Sequence, residues 1–369
     1  MWDDPQQAAE WARFTIELGL RLFPRAAKLM DFNKNPRLKS DPFLLYDAEF
    51  LVEQYRAESL IAADVPYSEL VDFLRTPFSL IRLGIIRGQF ELQAGDDAWT
   101  SISRAGFKAL RNSGRIGANG PMIRLRSVSL ENAIVVLKIQ RATYHDQARS
   151  NLILDWPTGI RPEPLTLRAL LKAKYGEHLP ELDDKRLANT VGVACLLFYR
   201  EGGRFVPYLV RRVEKVGVYP GGIHCTASGA ANWPDSSGRS FENFFLRAIR
   251  QEIDEEVGLQ PEDLVDLRAV SLCRDFLRGG KPQMFFAGVT HLSRAQLKEK
   301  RITAVDTVKK LNGWAEVERD TWLRSSDVVM SPRVLEAKIK NVGVTLEAMA
   351  AFFHGQRYVA KYGRQFIGR

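Results

Sequence analysis

Arg250-Gln251-Glu252-Ile253-Asp254-Glu255-Glu256-Val257-Gly258-Leu259 places three glutamates at i, i+3 and i+4, just ahead of a glycine suited to ending a helix. At about 100° per residue the three side chains fall within an arc of roughly 100° on one helix face. Phe245, Ile249, Ile253 and Val257 form an apolar stripe along the edge of that arc. A helix from Phe241 to Val257, N-capped by Ser240, is therefore expected to bury one edge and carry its carboxylates beside the core. Like charges at these spacings cost about 0.2–0.5 kcal/mol per pair unless a cation lies among them. A hard divalent ion, Mg2+ or Mn2+, is one such cation, because it accepts carboxylates together with waters and phosphate oxygens. The plainer reading is an acidic, solvated face paired with Arg247 and Arg250, and charge pattern alone favours it.

The flanking sequence has strand grammar. Upstream, Thr190–Tyr199, the turn Glu201-Gly202-Gly203 and Phe205–Val213 predict a hairpin. A third strand, Ile223–Ala227, ends in Ser228-Gly229-Ala230, and a loop with Pro234, Asp235 and Gly238 leads to the helix. Downstream, strands are expected at Leu267–Cys273 and Gln283–Val289, around the turn Arg278-Gly279-Gly280-Lys281, followed by helices near 294–311 and 334–353.

This order, with Glu252, Ile253, Glu255, Glu256, Gly258 and Leu259 in register, resembles the Nudix hydrolase family over roughly residues 188–290. The family's box reads Gly-x5-Glu-x7-Arg-Glu-U-x-Glu-Glu-x-Gly-U, with U a bulky aliphatic. Here its arginine falls on Gln251 with Arg250 beside it, its first glutamate on Asn243 with Glu242 beside it, and its leading glycine on Ser237 with Gly238 beside it. The resemblance implies an α/β/α sandwich around a mixed sheet, and Mg2+ or Mn2+ held by Glu252, Glu255, Glu256 and the backbone at Gly229. It also implies cleavage of a pyrophosphate bond in a nucleoside diphosphate derivative or nucleoside triphosphate, with one glutamate taking a proton from water. Gln251 and Asn243 favour a first rival, a non-catalytic Nudix-like nucleotide sensor. A second rival is a diphosphate isomerase: His224-Cys225 is similar to the active-site cysteine strand of isopentenyl diphosphate isomerases, although a lone strand cysteine ordinarily serves packing.

Four cations are candidates for substrate phosphate. Arg211 and Arg212 end the second strand, and alternation sends them to opposite faces, so one can meet the ligand while a surface role for both is equally open. Arg274 and Lys281 bracket the glycine turn, which could cradle an anion, although a solvated hairpin tip is the default. His145, His178, His291 and His354 show no ligand spacing, and no P-loop, GxSxG or zinc signature occurs.

The amino-terminal half reads as α+β. Residues 6–30 form an amphipathic pattern that Pro24 interrupts, and 31–42 a polar connector. Leu44, Ala48, Leu51, Tyr55, Leu70, Phe73 and Leu74 have helical spacing, residues 88–120 read as turns, and 122–140 as two strands around Glu131-Asn132. Prolines in 155–164 mark a linker, with a short helix at Leu165–Tyr175. The expected division is an α+β domain of unassigned function over 1–160, a linker over 161–187, and the Nudix-like domain with a helical extension over 188–369.

With 369 residues, 45% hydrophobic and 26% charged, the chain has material for two or three domains, which excludes wholesale disorder and a small stapled scaffold. Cys195, Cys225 and Cys273 are too few and too far apart for a disulfide framework, which points to a reducing, cytoplasmic setting. Met1-Trp2-Asp3-Asp4 does not open a signal peptide, and no run of ~18 apolar residues occurs, so no membrane partner is expected. The formal charge of +9 lies almost wholly beyond residue 185. That suits a phosphorylated small molecule, while the near-neutral residues 1–185 argue against a nucleic-acid partner.

Overall fold

The computed structural model describes residues 48–62, 65–93, 95–114, 116, 118–156, 165–212, 222–234, 240–312, 317–321 and 344–366. The helix expected over 6–30, the connector 31–42, residues 157–164, Asp235, Gly238 and residues 334–343 lie outside them. In chain order the elements are α1 (Ala48–Gln54), β1 (Tyr67–Asp72), β2 (Ile81–Gln89), α2 (Asp97–Asn112), β3 (Pro121–Glu131), β4 (Ile134–Thr143), α3 (Tyr144–Ala148) and α4 (Leu167–Tyr175). Then come β5 (Gly192–Glu201), β6 (Arg204–Arg212), β7 (Ile223–His224), β8 (Ala227–Ala230), a π turn (Glu242–Leu246) and α5 (Arg247–Val257). The chain continues with β9 (Leu264–Asp275), β10 (Lys281–Thr290), α6 (Arg294–Asn312), β11 (Val317–Thr321) and α7 (Leu346–Tyr362).

The central sheet runs β1-β9-β10-β5-β6-β11 and is mixed, with β10 parallel to β5 and antiparallel to β9. β5 is buried from Gly192 to Tyr199 without alternation, because both of its faces are covered. Val193, Cys195, Leu197 and Tyr199 pack with Ile249, Ile253 and Val257 of α5 and Leu297 of α6; Ala194, Leu196 and Phe198 pack with Met349, Phe352 and Tyr358 of α7. The chain is thus α+β, with a mixed sheet layered between helices.

The expected third strand is split in two. Ile223–His224 pairs with β6, whereas Ala227–Ala230 pairs with β5. At the crossing, the Thr226 hydroxyl donates to Tyr208 O (2.5 Å) and accepts from Leu197 N (2.8 Å), so the backbone groups freed by the switch stay satisfied.

Two amino-terminal expectations are overturned. Helical spacing holds only for α1; Tyr67–Asp72 is a strand instead, and a register shift between Glu69 and Val71 lets Tyr67 pack on one face of the sheet and Val71 on the other. Glycines suggested turns over 88–120, yet α2 forms there, with Asp96 capping it from Trp99 N at 2.8 Å. Trp99, Ile102, Gly106 and Leu110 make its buried face, and Gly106 lets Ile153 and Trp156 approach closely.

β2, β4 and β3 form a second sheet. The expected boundary at 160–187 is not a break in packing. β1 hydrogen-bonds to β9, Ile123 N donates to Ala231 O, and Val191 N donates to Ile123 O. Ile123, Leu125, Leu137 and Ile139 belong to the same core as Val193. The apolar faces of the amino-terminal strands are simply too large to be left against solvent.

Gly258 ends α5 in the left-handed region, at φ 71°, with its N–H on Asp254 O. A Cβ there would also lie 2.7 Å from Lys300 O. Gly258→Ala is expected to cost on the order of 1–3 kcal/mol, read as a lower urea midpoint at unchanged slope. Among the described residues, no helix is long and apolar enough to cross a membrane.

Candidate active site

The helix that carries the glutamates opens with the π turn and continues as α5, and Ser240 Oγ accepts from Asn243 N at 3.2 Å. The stripe Phe245, Ile249, Ile253 and Val257 is fully buried, as the spacing predicts, and this fixes the rotation of the helix over β5 and β8. The carboxylates then separate. Glu256 is 8% exposed and accepts from Ser228 N at 3.1 Å. The Glu252 carboxylate lies against the backbone of Gly229, where an added Cβ would overlap it. Glu255 faces outward and accepts from Gln251 Nε2 at 2.7 Å.

The three glutamates share one helix face without meeting at one point. Among the described residues, Glu252, Glu255 and Glu256 do not close into a set with one ligand atom each within 4.8 Å of the others. Their arc is wide enough that two acids reach β8 while the third pairs one turn back with Gln251, where the box has its arginine. The displaced pair Glu242 and Arg250 keeps the family's spacing between those two box positions, and the two meet at 3.3 Å on the exposed surface. An exposed pair of this kind contributes little to stability.

Beyond Ser228 a buried polar chain runs to the carboxy-terminal helix. Ser228 Oγ lies 2.7 Å from His224 Nε2 and accepts from Arg212 Nη1 at 3.3 Å. His224 Nδ1 lies 2.7 Å from Thr345 Oγ1, the N-cap of α7. Gln283 Nε2 donates to Glu347 Oε1 at 2.9 Å, and Lys281 Nζ donates to Gln283 Oε1 at 3.4 Å. Burial pushes the Glu347 carboxyl up to about 7 against the pull of Lys281 and Arg212. It brings Lys281 down to about 8 against Glu347 and Asp275. The same desolvation holds His224 well below, and the Cys225 thiol well above, their ordinary values.

Of the four candidate cations, Arg212 and Lys281 enter this chain, and Arg211 is buried next to Arg212 on β6. Arg274 does not line a cradle: its Nε donates to Gly280 O at 3.1 Å and its Nη2 to Pro180 O, so it braces the glycine turn. Nor is that turn a solvated tip, since Asp275 through Lys281 are all buried. Cys225 is fully buried, with Sγ 3.5 Å from Ala227 O. Sequence reading missed Ser228, Gln283, Thr345 and Glu347. Thr345 ahead of an apolar run was an N-cap signal that would have started the last helix at Leu346.

Solved structures similar to this chain include the NUDIX domain of Shewanella oneidensis NrtR in complex with ADP ribose, at 13% identity over 46% of this chain and 87% of that one, with a TM-score of 0.27. A C. elegans Ap4A hydrolase is similar at 12% identity over 46% and 97%, TM-score 0.25. The M. smegmatis Nudix hydrolase RenU is similar at 12% identity over 46% and 85%, TM-score 0.26. No family model matches the chain, and no curated protein does. At these identities and scores, the reading of the site rests on its own residues.

Proposed function

We propose that the chain is a divalent-metal-dependent Nudix-type hydrolase that cleaves a pyrophosphate bond in a nucleoside diphosphate derivative or nucleoside triphosphate. The observation that carries this reading is the placement of Glu252 on the bare backbone of Gly229, beside Glu256 fixed by Ser228 N. Two carboxylates and a neighbouring carbonyl are hard oxygen donors, and Mg2+ asks for only one or two carboxylates with waters and phosphate completing its shell. The residues fit such an ion, with Glu252, Glu256 and the Gly229 backbone holding it. When bound, the ion supplies Lewis-acid polarisation of a phosphoryl oxygen and a lowered pKa for water. Gly229 leaves the space, the Ser228 amide orients Glu256, and one of the two glutamates takes the proton of the attacking water. Arg212, on Ser228 Oγ, supplies positive charge for the substrate's phosphates, and Lys281 adds to it from the same buried polar chain.

The test is a panel of nucleoside triphosphates and diphosphate-linked nucleosides assayed with Mg2+ or Mn2+. Turnover by the native chain that disappears in Glu252→Gln and Glu256→Gln supports the proposal; turnover that persists in both overturns it. Gly229→Ala, whose new methyl group would displace the Glu252 carboxylate, is expected to lower turnover by about 10–100-fold with little change in melting temperature. The Gln251–Glu255 hydrogen bond favours a second reading, because it turns one carboxylate out of the site. On that reading the chain is a nucleotide sensor, and the same panel would show saturable binding without turnover.

A further inference from the structure

The geometry points to a second metal site, independent of the glutamate helix, in which His224, Cys225 and Glu347 hold a zinc-class ion at the junction of β7, β8 and α7. One ligand atom from each of the three lies within 4.8 Å of the other two. Consecutive strand residues ordinarily point to opposite faces. Here the strand stops at His224 and the chain switches partner before Ala227, which lets the imidazole and the thiol of neighbouring residues face one point. Glu347, in the first turn of α7, closes the third side.

The surroundings meet the usual requirements of a bound metal. Zinc takes imidazole nitrogen, thiolate and carboxylate at roughly 2.0–2.3 Å, so the present spacing needs only a small inward movement. His224 Nδ1 is held by Thr345 Oγ1 at 2.7 Å, which orients the ring and leaves Nε2 as the metal-facing nitrogen. Nε2 stands 4.0 Å from Glu347 Oε2, while Glu347 Oε1 is occupied by Gln283 Nε2. Ser228 Oγ, now on Nε2, would move away and keep Arg212 Nη1 as a partner.

Charge balances as well. The ion binds as the Cys225 thiol gives its proton to solvent, and the Glu347 carboxyl gives up any proton it carries. One thiolate, one carboxylate and a dication sum to zero, so the centre presents no net charge to Arg212 and Lys281, the cations that flank Glu347. An entry route exists too: His224 and Cys225 are sealed, but the Glu347 side chain keeps 18% of its exposure. Three protein ligands leave a fourth position for water, or for an oxygen of a ligand bound along the Ser228 chain.

The experiment strips the full-length protein with a chelator and titrates it with Co2+, reading the near-ultraviolet thiolate-to-cobalt charge-transfer band, and then displaces the ion with Zn2+. One equivalent is expected, with the band absent in Cys225→Ser and Cys225→Ala, retained in Cys273→Ser and Glu256→Gln, and the affinity about 10–100-fold weaker in Glu347→Gln. X-ray absorption at the zinc edge of the native protein needs no variant and should show one sulfur among nitrogen and oxygen neighbours. No charge-transfer band, a band that survives loss of Cys225, or a zinc shell without sulfur overturns the site. None of these outcomes bears on the magnesium-dependent hydrolysis, which Glu256→Gln tests separately.

Discussion

Glu256→Gln is expected to lower turnover by roughly 10²–10⁴-fold, while Glu255→Gln leaves it near the native value. The two residues are neighbours in sequence with the same chemistry, so only placement separates them. Glu256 is buried and accepts from Ser228 N at 3.1 Å, one residue before the Gly229 backbone that the Glu252 carboxylate lies against. Glu255 is exposed and held by Gln251 at 2.7 Å. In Glu256→Gln the amide oxygen can still accept from Ser228 N, so the fold is retained and the loss falls on chemistry rather than stability. Steady-state rates on the best nucleotide of the panel, with a thermal melt of each variant, check this. Equal losses in both variants would contradict the separation.

The second large effect is on stability. Arg168 and Asp155 form a two-pronged ion pair at 2.5 and 2.8 Å, each side chain 2% exposed. The same guanidinium donates to Tyr55 Oη and to the carbonyls of Phe276 and Leu277. It therefore ties α1 and the segment before α4 to the loop between β9 and β10, the loop that ends at Lys281. Arg168→Leu leaves a buried carboxylate and two carbonyls without their donor, and is expected to cost about 3–5 kcal/mol. Adding Asp155→Leu should recover part of that loss, because the stranded charge is then gone. Urea unfolding with a common slope measures both; a loss under about 1 kcal/mol in the single variant would show that the pair is not a tie.

Legibility in the sequence tracked how local the determining contacts are. The hairpin of β5 and β6, the strands β9 and β10 and the Gly258 stop were read correctly because turn residues and runs of apolar side chains announce them. The rotation of α5 followed from Phe245, Ile249, Ile253 and Val257 alone. Leu70, Phe73 and Leu74 fit a helical period, yet Tyr67–Asp72 is a strand, because the partner that makes it one lies about 200 residues away in β9. The split of Ile223–Ala230 was hidden for the same reason, since it depends on which of two neighbours each half pairs with.

In the site, the acids' common helix face was legible but their division was not. An arc of carboxylates says nothing about where β8 crosses it, and the Gln251 hydrogen bond that turns Glu255 outward depends on side-chain conformation. Arg274 and Lys281 were equally attractive for an anion from composition. Only folding shows that Arg274 is consumed by the carbonyls of Pro180 and Gly280, whereas Lys281 joins the chain leading to Glu347. Glu347 itself comes from the far end of the sequence, and nothing near it signals the cluster it joins.

The central claim, that Glu252 and Glu256 over Gly229 hold a divalent ion beside a diphosphate, is tested most directly by Mn2+ binding. Electron paramagnetic resonance would follow the loss of the free-ion signal as the protein is added, with a non-hydrolysable nucleotide present. The account predicts saturable Mn2+ uptake by the native chain and by Glu255→Gln, and its loss in the Glu252→Gln/Glu256→Gln double variant. Uptake that is absent from the native chain, or that is the same in all three proteins, would contradict it.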